Sequence, residues 1–289
     1  MLGLKRGAVR LCQHESEWEA EAKNTISQLR EILGPAITDI QHIGSTAIPS
    51  IKAIPIIDIA IAADRLEDIL EFQEKLENNG FYYRPKAPQS GQLLFACGSY
   101  YDGSGNLQTH FIHVVPTGSP AWRDYINFRD YLNERPEAAR EYEKRKIDLA
   151  ETVPAEGGRE KYLQGKQDLI RRILRSALVS SYLGKTVQIK IDRPLGSAHP
   201  RHADLLYPVN YGYIPDTVSG DGEELDVYLL GIEIPVEAYT GKIIGIIHRL
   251  DDVEDKLVAA PEGLTFNREE ITNAVRFQEQ YYQTGVETL

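Results

Sequence analysis

The 289-residue chain has no apolar run near the ~20 residues that a membrane span requires. Its opening, Met1-Leu2-Gly3-Leu4-Lys5-Arg6, lacks the apolar stretch and cleavage site of a signal peptide. Cysteine is scarce. Cys12 and Cys97 make no disulfide framework and have no metal-ligand spacing, which predicts a reduced, cytoplasmic chain. Positive charge is in deficit: 32 Lys and Arg face 43 Asp and Glu, for a net charge of −11. Nonspecific nucleic-acid binding needs a positive footprint and is not expected. An anionic ligand would need local cations or a metal ion. Internal repeats and low-complexity segments are also missing, and nothing in the sequence sets the oligomeric state.

What is present divides in two. Residues 1–180 read as α+β. Apolar Trp18, Ala22, Ile26, Leu29 and Leu33 recur at helical spacing over Glu17–Leu33, and Gly34-Pro35 ends the helix. Residues 54–61 form an apolar run broken by Asp58 and predict a buried strand. Residues 66–79 predict a helix closed by Gly80. Residues 93–97 and 109–115 predict strands around the turn at 101–106. Residues 119–178 are helical and charge-laced, interrupted near 154–158. Beyond them Val187, Ile189 and Ile191 alternate with Gln188 and Lys190, a period of two. Residues 181–289 therefore form a second domain with a boundary near 180–184. Their short strands and C-terminal helix at about 268–282 suit a small closed barrel.

The densest chemistry lies in that second part. Tyr207-Pro208-Val209-Asn210-Tyr211-Gly212-Tyr213 is followed eight residues later by Asp221-Gly222-Glu223-Glu224-Leu225-Asp226. Crowded carboxylates raise one another's pKa unless a cation neutralises them. Oxygen ligands suit Mg²⁺ or Mn²⁺ shared with substrate phosphates. Taken alone, the cluster also reads as a solvated acidic turn, since Asp-Gly is ordinary turn chemistry. A second acidic segment, Asp251-Asp252-Val253-Glu254-Asp255, leads into Lys256-Leu257-Val258-Ala259-Ala260.

This order of motifs resembles the soluble inorganic pyrophosphatases that fold as a small barrel. The resemblance implies that Tyr207 and Tyr211 are active-site tyrosines and that Asp221 and Asp226 are metal ligands. Glu223 falls where the family has its central aspartate, and Glu224 replaces a proline. Asp251 with either Glu254 or Asp255 matches the second metal pair, Lys256 a phosphate-binding lysine, and Asp192 an early glutamate. Tyr281 matches a C-terminal tyrosine, with Tyr282 where a lysine is expected. The family's cationic hairpin before Tyr207 is reduced. Arg193 or Arg201 supplies its charge, and His199 and His202 either contact phosphate or are polar loop residues.

The first part carries a second pattern. His42-Ile43-Gly44-Ser45-Thr46-Ala47-Ile48-Pro49 offers backbone N–H groups and two hydroxyls to a phosphate. Asp58 in its apolar run needs a partner or a metal, with Lys52, Ser45 or a bound ion as candidates. His110 and His113 are three apart on a strand and point to opposite faces. These strings, with Phe128-Arg129-Asp130-Tyr131-Leu132 and Pro136, resemble the GrpB family over residues 8–176. That family's fold is similar to the nucleotidyltransferases, a mixed sheet with helices. Their pattern assigns phosphate binding to Gly44 and Ser45 and the first metal carboxylate to Asp58. Ala60 occupies the place of the second.

Taken together, the two resemblances imply Mg²⁺- or Mn²⁺-dependent hydrolysis of pyrophosphate or a related phosphoanhydride by the second domain. Asp226, Tyr207, Tyr211 and Lys256 are its catalytic residues. Asp221, Asp226, Asp251, Glu254 and Asp255 hold its metal, and Arg193, Arg201 and Tyr281 hold its phosphates. Two alternatives stand beside this reading. One is nucleotidyl transfer by the first domain with pyrophosphate removal by the second; the other is a non-catalytic sensor of a phosphorylated ligand.

Overall fold

The computed structural model describes residues 2–85, 91–199, 202–218, 223–249, 251–252 and 254–289. The chain forms two compact units, Met1–Ile173 and Leu174–Leu289. Among the described residues no helix is long and apolar enough to cross a membrane.

The first unit runs β1 (Leu4–Lys5), α1 (Glu17–Leu33), β2 (Asp39–Ile43), β3 (Ile57–Ala63), α2 (Leu66–Leu70), α3 (Gln73–Asn78), β4 (Tyr82–Tyr83), β5 (Leu93–Cys97), β6 (Leu107–Gln108), β7 (His110–Pro116), α4 (Pro120–Glu134), α5 (Pro136–Thr152) and α6 (Arg159–Gly165). The chain divides within α7 (Gln167–Ser180). The sheet order is β2-β3-β7-β5-β4. It is mixed, because β3 and β7 are parallel while the other neighbours are antiparallel. Alternation sorts the side chains of β3. Ile57, Ile59, Ile61 and Ala63 join Ala22, Leu29 and Leu33 of α1 in one core. Asp58 and Ala60 face the other way.

Three sequence expectations shift. The strand expected from residue 54 begins at Ile57, because Pro55 has no N–H for the ladder and Ile56 N–H turns back to the Ile54 carbonyl at 2.7 Å. The helix expected over 66–79 is broken between α2 and α3, where Phe72 leaves helical geometry. The long helical stretch after residue 119 breaks at Arg135, which the following proline holds at φ −118°, ψ 88°.

The second unit contains β8 (Thr186–Arg193), β9 (Ala198–His199), β10 (His202–Leu206), β11 (Asn210–Ile214), β12 (Leu225–Leu229), β13 (Ala238–Arg249), β14 (Lys256–Ala260), α8 (Arg268–Glu279) and β15 (Thr284–Thr288). The order β14-β12-β11-β8-β13 closes through the β13–β14 pairing into a five-stranded barrel, with β15 added on β13. All five barrel strands feed one apolar cluster that includes Ile189, Ile191, Ile214, Val227, Leu229, Ile243, Ile246, Leu257 and Ala259. The residues between them, Tyr211, Tyr228, Ile244, Ile247 and Val258, face outward under Ile271 and Val275 of α8. That helix starts in a capping box between Asn267 and Glu270. It ends at Glu279, short of the expected 282, and the tail returns as β15. Gly212 is required at a bulge between β11 and β8, where a Cβ would lie 1.9 Å from the Lys190 carbonyl oxygen.

Candidate functional site

Alternation on the barrel puts the second unit's polar residues on the α8 side. Tyr211 pairs with Tyr228 across β11 and β12, and Asp226 and Tyr228 share one face of β12. On β14, Lys256 shares a face with Val258. Its buried ammonium forms ion pairs with Asp226 and Glu254. Tyr211 donates its hydroxyl hydrogen bond to Asp226. Burial, then the Asp226 charge, hold its pKa well above the phenol range. Tyr207 packs on Tyr211 with ring centroids 5.5 Å apart. Burial raises the Tyr207 pKa as well, against the pull of Arg193, which donates a hydrogen bond to it. Arg193 also bonds the Asp192 carboxylate at 2.8 Å. Burial raises the Asp192 pKa, and the Asp226 charge adds to that rise.

Tyr207, Tyr211, Asp226, Glu254, Lys256, Arg193 and Asp192 therefore sit together. Asp255 turns elsewhere: its Oδ2 lies 2.9 Å from His248 Nδ1 and its Oδ1 accepts from Arg249 N–H at 3.1 Å. Between the two acids that spacing left open, Glu254 is the one that faces Lys256. Glu254 and Lys256 are two apart at a strand entrance and share a face, a signal already present in the sequence. Asp251 accepts the Gln283 N–H at 2.9 Å and ties down the tail. Tyr281 is 72% exposed. Arg201 and Asp221 lie outside the described residues. His199 stacks on Tyr207 at 6.2 Å.

The carboxylates of Asp226 and Glu254 converge on the Lys256 ammonium, and oxygen donors of this kind suit a hard divalent cation. Among the described residues, however, no group of three or more His, Cys, Asp or Glu side chains converges as a metal site. Sequence reasoning missed a neighbouring buried network. Arg249 bonds Glu279 through Nε at 2.8 Å and Nη2 at 2.6 Å, and Asp252 through Nη1 at 2.9 Å. Tyr228 adds a bond to Glu279 at 2.5 Å. This network joins α8 to the segment that carries Glu254.

In the first unit, the two histidines of β7 face opposite ways. His110 Nε2 lies 3.3 Å from Thr25 Oγ1 on α1. His113 lies on the α4 side, with Nδ1 3.2 Å from Tyr125 Oη and Nε2 3.5 Å from Asp58 Oδ1. Burial lowers the His110 pKa to about 4. Register makes His113 the direct partner of Ala60 across β3 and β7. An imidazole thus stands beside the position that lacks a second carboxylate. Gly44 has φ +71°, and a Cβ there would lie 2.6 Å from Asp58 Oδ2, so the Gly44-Ser45 turn leans directly on the carboxylate. The backbone N–H of Lys52 donates to Glu143 at 2.7 Å, and among the described residues no ion pair joins Lys52 to Asp58. A separate cavity of about 450 Å³ between α1, β2 and α4 is lined by His14, Lys23, His42, Arg129 and Asn133. Thr46, Ala47 and Pro49 of the Gly-Ser-Thr segment also line it, whereas Gly44, Ser45 and Asp58 do not.

Comparison with known proteins accounts for both halves. Residues 8–176 match the family described as GrpB protein, and residues 180–284 match that described as inorganic pyrophosphatase. The glutamate-rich protein GrpB of Alkalihalophilus pseudofirmus is 37% identical over 175 residues, covering 60% of this chain and 98% of the relative. The crystal structure of conserved protein GrpB from Enterococcus faecalis superposes with a TM-score of 0.54 at 26% identity, over 60% of this chain and 99% of that one. An inorganic pyrophosphatase of Saccharolobus solfataricus is 38% identical over 81 residues, 27% of this chain, and the match spans less than half of that relative, 44%. Both resemblances read from the motifs are borne out: the chain belongs to the GrpB family through residues 8–176 and carries an inorganic-pyrophosphatase domain over residues 180–284.

Proposed function

We propose that residues 181–289 hydrolyse inorganic pyrophosphate or a related phosphoanhydride, with Mg²⁺ or Mn²⁺ as cofactor. The observation that carries this reading is the meeting of Tyr207, Tyr211, Asp226, Glu254, Lys256 and Arg193 at one place on the barrel. Asp226 and Glu254, with Asp221 from the same motif, would hold the cation, which would neutralise phosphate charge and acidify a water. Asp226 is the base nearest the tyrosines. Its bonds from Tyr211 and Lys256 keep it aimed. Water oxygen bonds to one phosphorus, its proton passes to Asp226, and the bridging oxygen leaves with the second phosphoryl group. Lys256 and Arg193 are the fixed cations for the charge that develops on that group. Tyr207 orients Arg193 through their shared hydrogen bond.

The test is phosphate release from pyrophosphate by the purified full chain, with Mg²⁺, with Mn²⁺, and in EDTA. Metal-dependent release supports the reading. A folded chain that releases none from pyrophosphate, polyphosphate or nucleoside triphosphates overturns it.

A further inference from the structure

The consecutive helices α5 and α6 repeat one pattern. Tyr142 precedes Lys146 by four residues, and Tyr162 precedes Lys166 by four. Four-residue spacing stacks the two side chains on one helix face. Each ammonium accordingly lies over a ring: Lys146 Nζ is 4.9 Å from the Tyr142 centroid and Lys166 Nζ is 5.0 Å from that of Tyr162. Lys166 also reaches the Tyr142 ring at 5.9 Å, so both lysines approach one aromatic ring.

Arg159, at the start of α6, adds a third cation. Among the described residues none of the three has a carboxylate within 4.0 Å. The nearest acids act only at longer range, Asp58 on Arg159 and Lys166, and Glu143 on Lys146. Lys146 is 1% exposed and donates to the Lys52 carbonyl. Arg159 and Lys166 are half-buried. In a chain of net charge −11, this is a local surplus of positive charge held out of water.

Such a surplus is unfavourable on its own, because each cation loses hydration and repels its neighbours. The titration behaviour reflects that. Burial and then the Lys166 charge bring Lys146 down to about 7, and burial and then Arg159 bring Lys166 down to about 8. A bound dianion would relieve both costs. A planar guanidinium beside point-charge ammonium groups matches the tetrahedral oxygens of a phosphate better than a single carboxylate does.

We propose that Arg159 and Lys166, backed by Lys146, form a phosphate-binding site in the first unit, separate from the barrel site. The ligand class is inorganic phosphate or the terminal phosphate of a small ester. The proposal does not rest on the hydrolase reading of residues 181–289.

The test is equilibrium binding to the full chain in EDTA, with inorganic phosphate in one arm and methyl phosphate in the other. Tighter binding of one arm identifies the source. Arg159→Met and Lys166→Met should each weaken binding about tenfold or more, the loss of a charge-assisted contact. Lys166→Arg should retain it. Lys256→Met, which alters the barrel site, should leave phosphate protection of Lys166 against acetylation intact. Should a methionine variant fail to fold by circular dichroism, phosphate protection of Lys166 against acetylation in the unmodified chain, read by mass spectrometry, decides instead. No binding by the unmodified chain, retention in both methionine variants, loss only in Lys256→Met, or failure of phosphate to protect Lys166 would each overturn the proposal.

Discussion

In residues 174–289, Lys256 lies between Asp226 and Glu254, Arg249 between Asp252 and Glu279, and His248 between Asp255 and Glu287. In residues 1–173, Lys146 and Lys166 both approach the Tyr142 ring and meet no carboxylate within 4.0 Å among the described residues. His42 and His110 also contrast with His248. Burial leaves His42 and His110 with pKa values lowered to about 4. Burial also pulls on His248, but the hydrogen bonds and charges of Asp255 and Glu287 outweigh it and raise its pKa. Matched pairs make a rigid site whose members depend on each other. Unmatched cations leave a capacity for an anion that the protein itself does not satisfy.

The largest expected effect concerns the matched side. Asp226→Asn keeps size and removes the charge shared by Lys256, Tyr211 and the proposed metal. Phosphate release from pyrophosphate should fall about a hundredfold to a thousandfold, with the fold intact. Turnover at the unaltered rate in saturating metal would reject the role given to Asp226.

Arg249→Met and Lys146→Met compare the two sides directly. Removing Arg249 strands a buried Glu279, and the chain's stability to urea should drop by about 3–5 kcal/mol. Removing Lys146 strands no carboxylate and only takes the donor from the Lys52 carbonyl, so the loss should be smaller, about 1–3 kcal/mol. Equal losses in both variants would show that the contrast in pairing has no energetic meaning.

A smaller effect follows from His110, which is 6% exposed. Its folded pKa of about 4 lies below the unfolded value of 6.5, so the native state keeps the ring neutral where the unfolded chain binds a proton. Stability is therefore fully present above pH 6.5 and is lost as pH falls toward 4, by about 3 kcal/mol. Urea melts across this window should show the decline, and His110→Gln should remove about half of it, since His42 is lowered to about 4 as well. A flat profile in the unmodified chain would remove His110 from the account.

Much of this was legible because local pattern and tertiary role agree. The helix Glu17–Leu33 and the strand Leu93–Cys97 have the bounds that apolar spacing assigns. Strand β15 was not legible. Thr284-Gly285-Val286-Glu287-Thr288 has little apolar alternation, and backbone pairing with β13 holds it. The Arg249 network was hidden for a related reason, since Glu279 and Arg249 are 30 residues apart and meet only after α8 docks. The choice of Glu254 over Asp255 was available from strand parity alone. The approach of His113 to Ala60 was not, because it depends on the register of two parallel strands joined by a long crossover.

The smallest effect tests whether Asp58 and His113 form a metal site or an ordinary ion pair. Tyr125 donates to Gln92 Oε1 at 3.2 Å, which leaves its oxygen to accept from His113 Nδ1–H. In a neutral ring Nε2 then carries a lone pair, and it faces Asp58 Oδ1 at 3.5 Å. Two acceptors in opposition need a cation between them, either a proton on the ring or a metal ion. The imidazole favours Mn²⁺ over Mg²⁺. Under the metal reading, Mn²⁺ should stabilise the full chain by about 1–3 kcal/mol at concentrations well above its Kd. Asp58→Ala and His113→Ala should each reduce that increment, while Asp226→Asn should remove only the part due to the barrel site. If Mn²⁺ stabilises the Asp58→Ala chain as much as the unmodified one, the metal lies elsewhere and Asp58 pairs with a protonated His113.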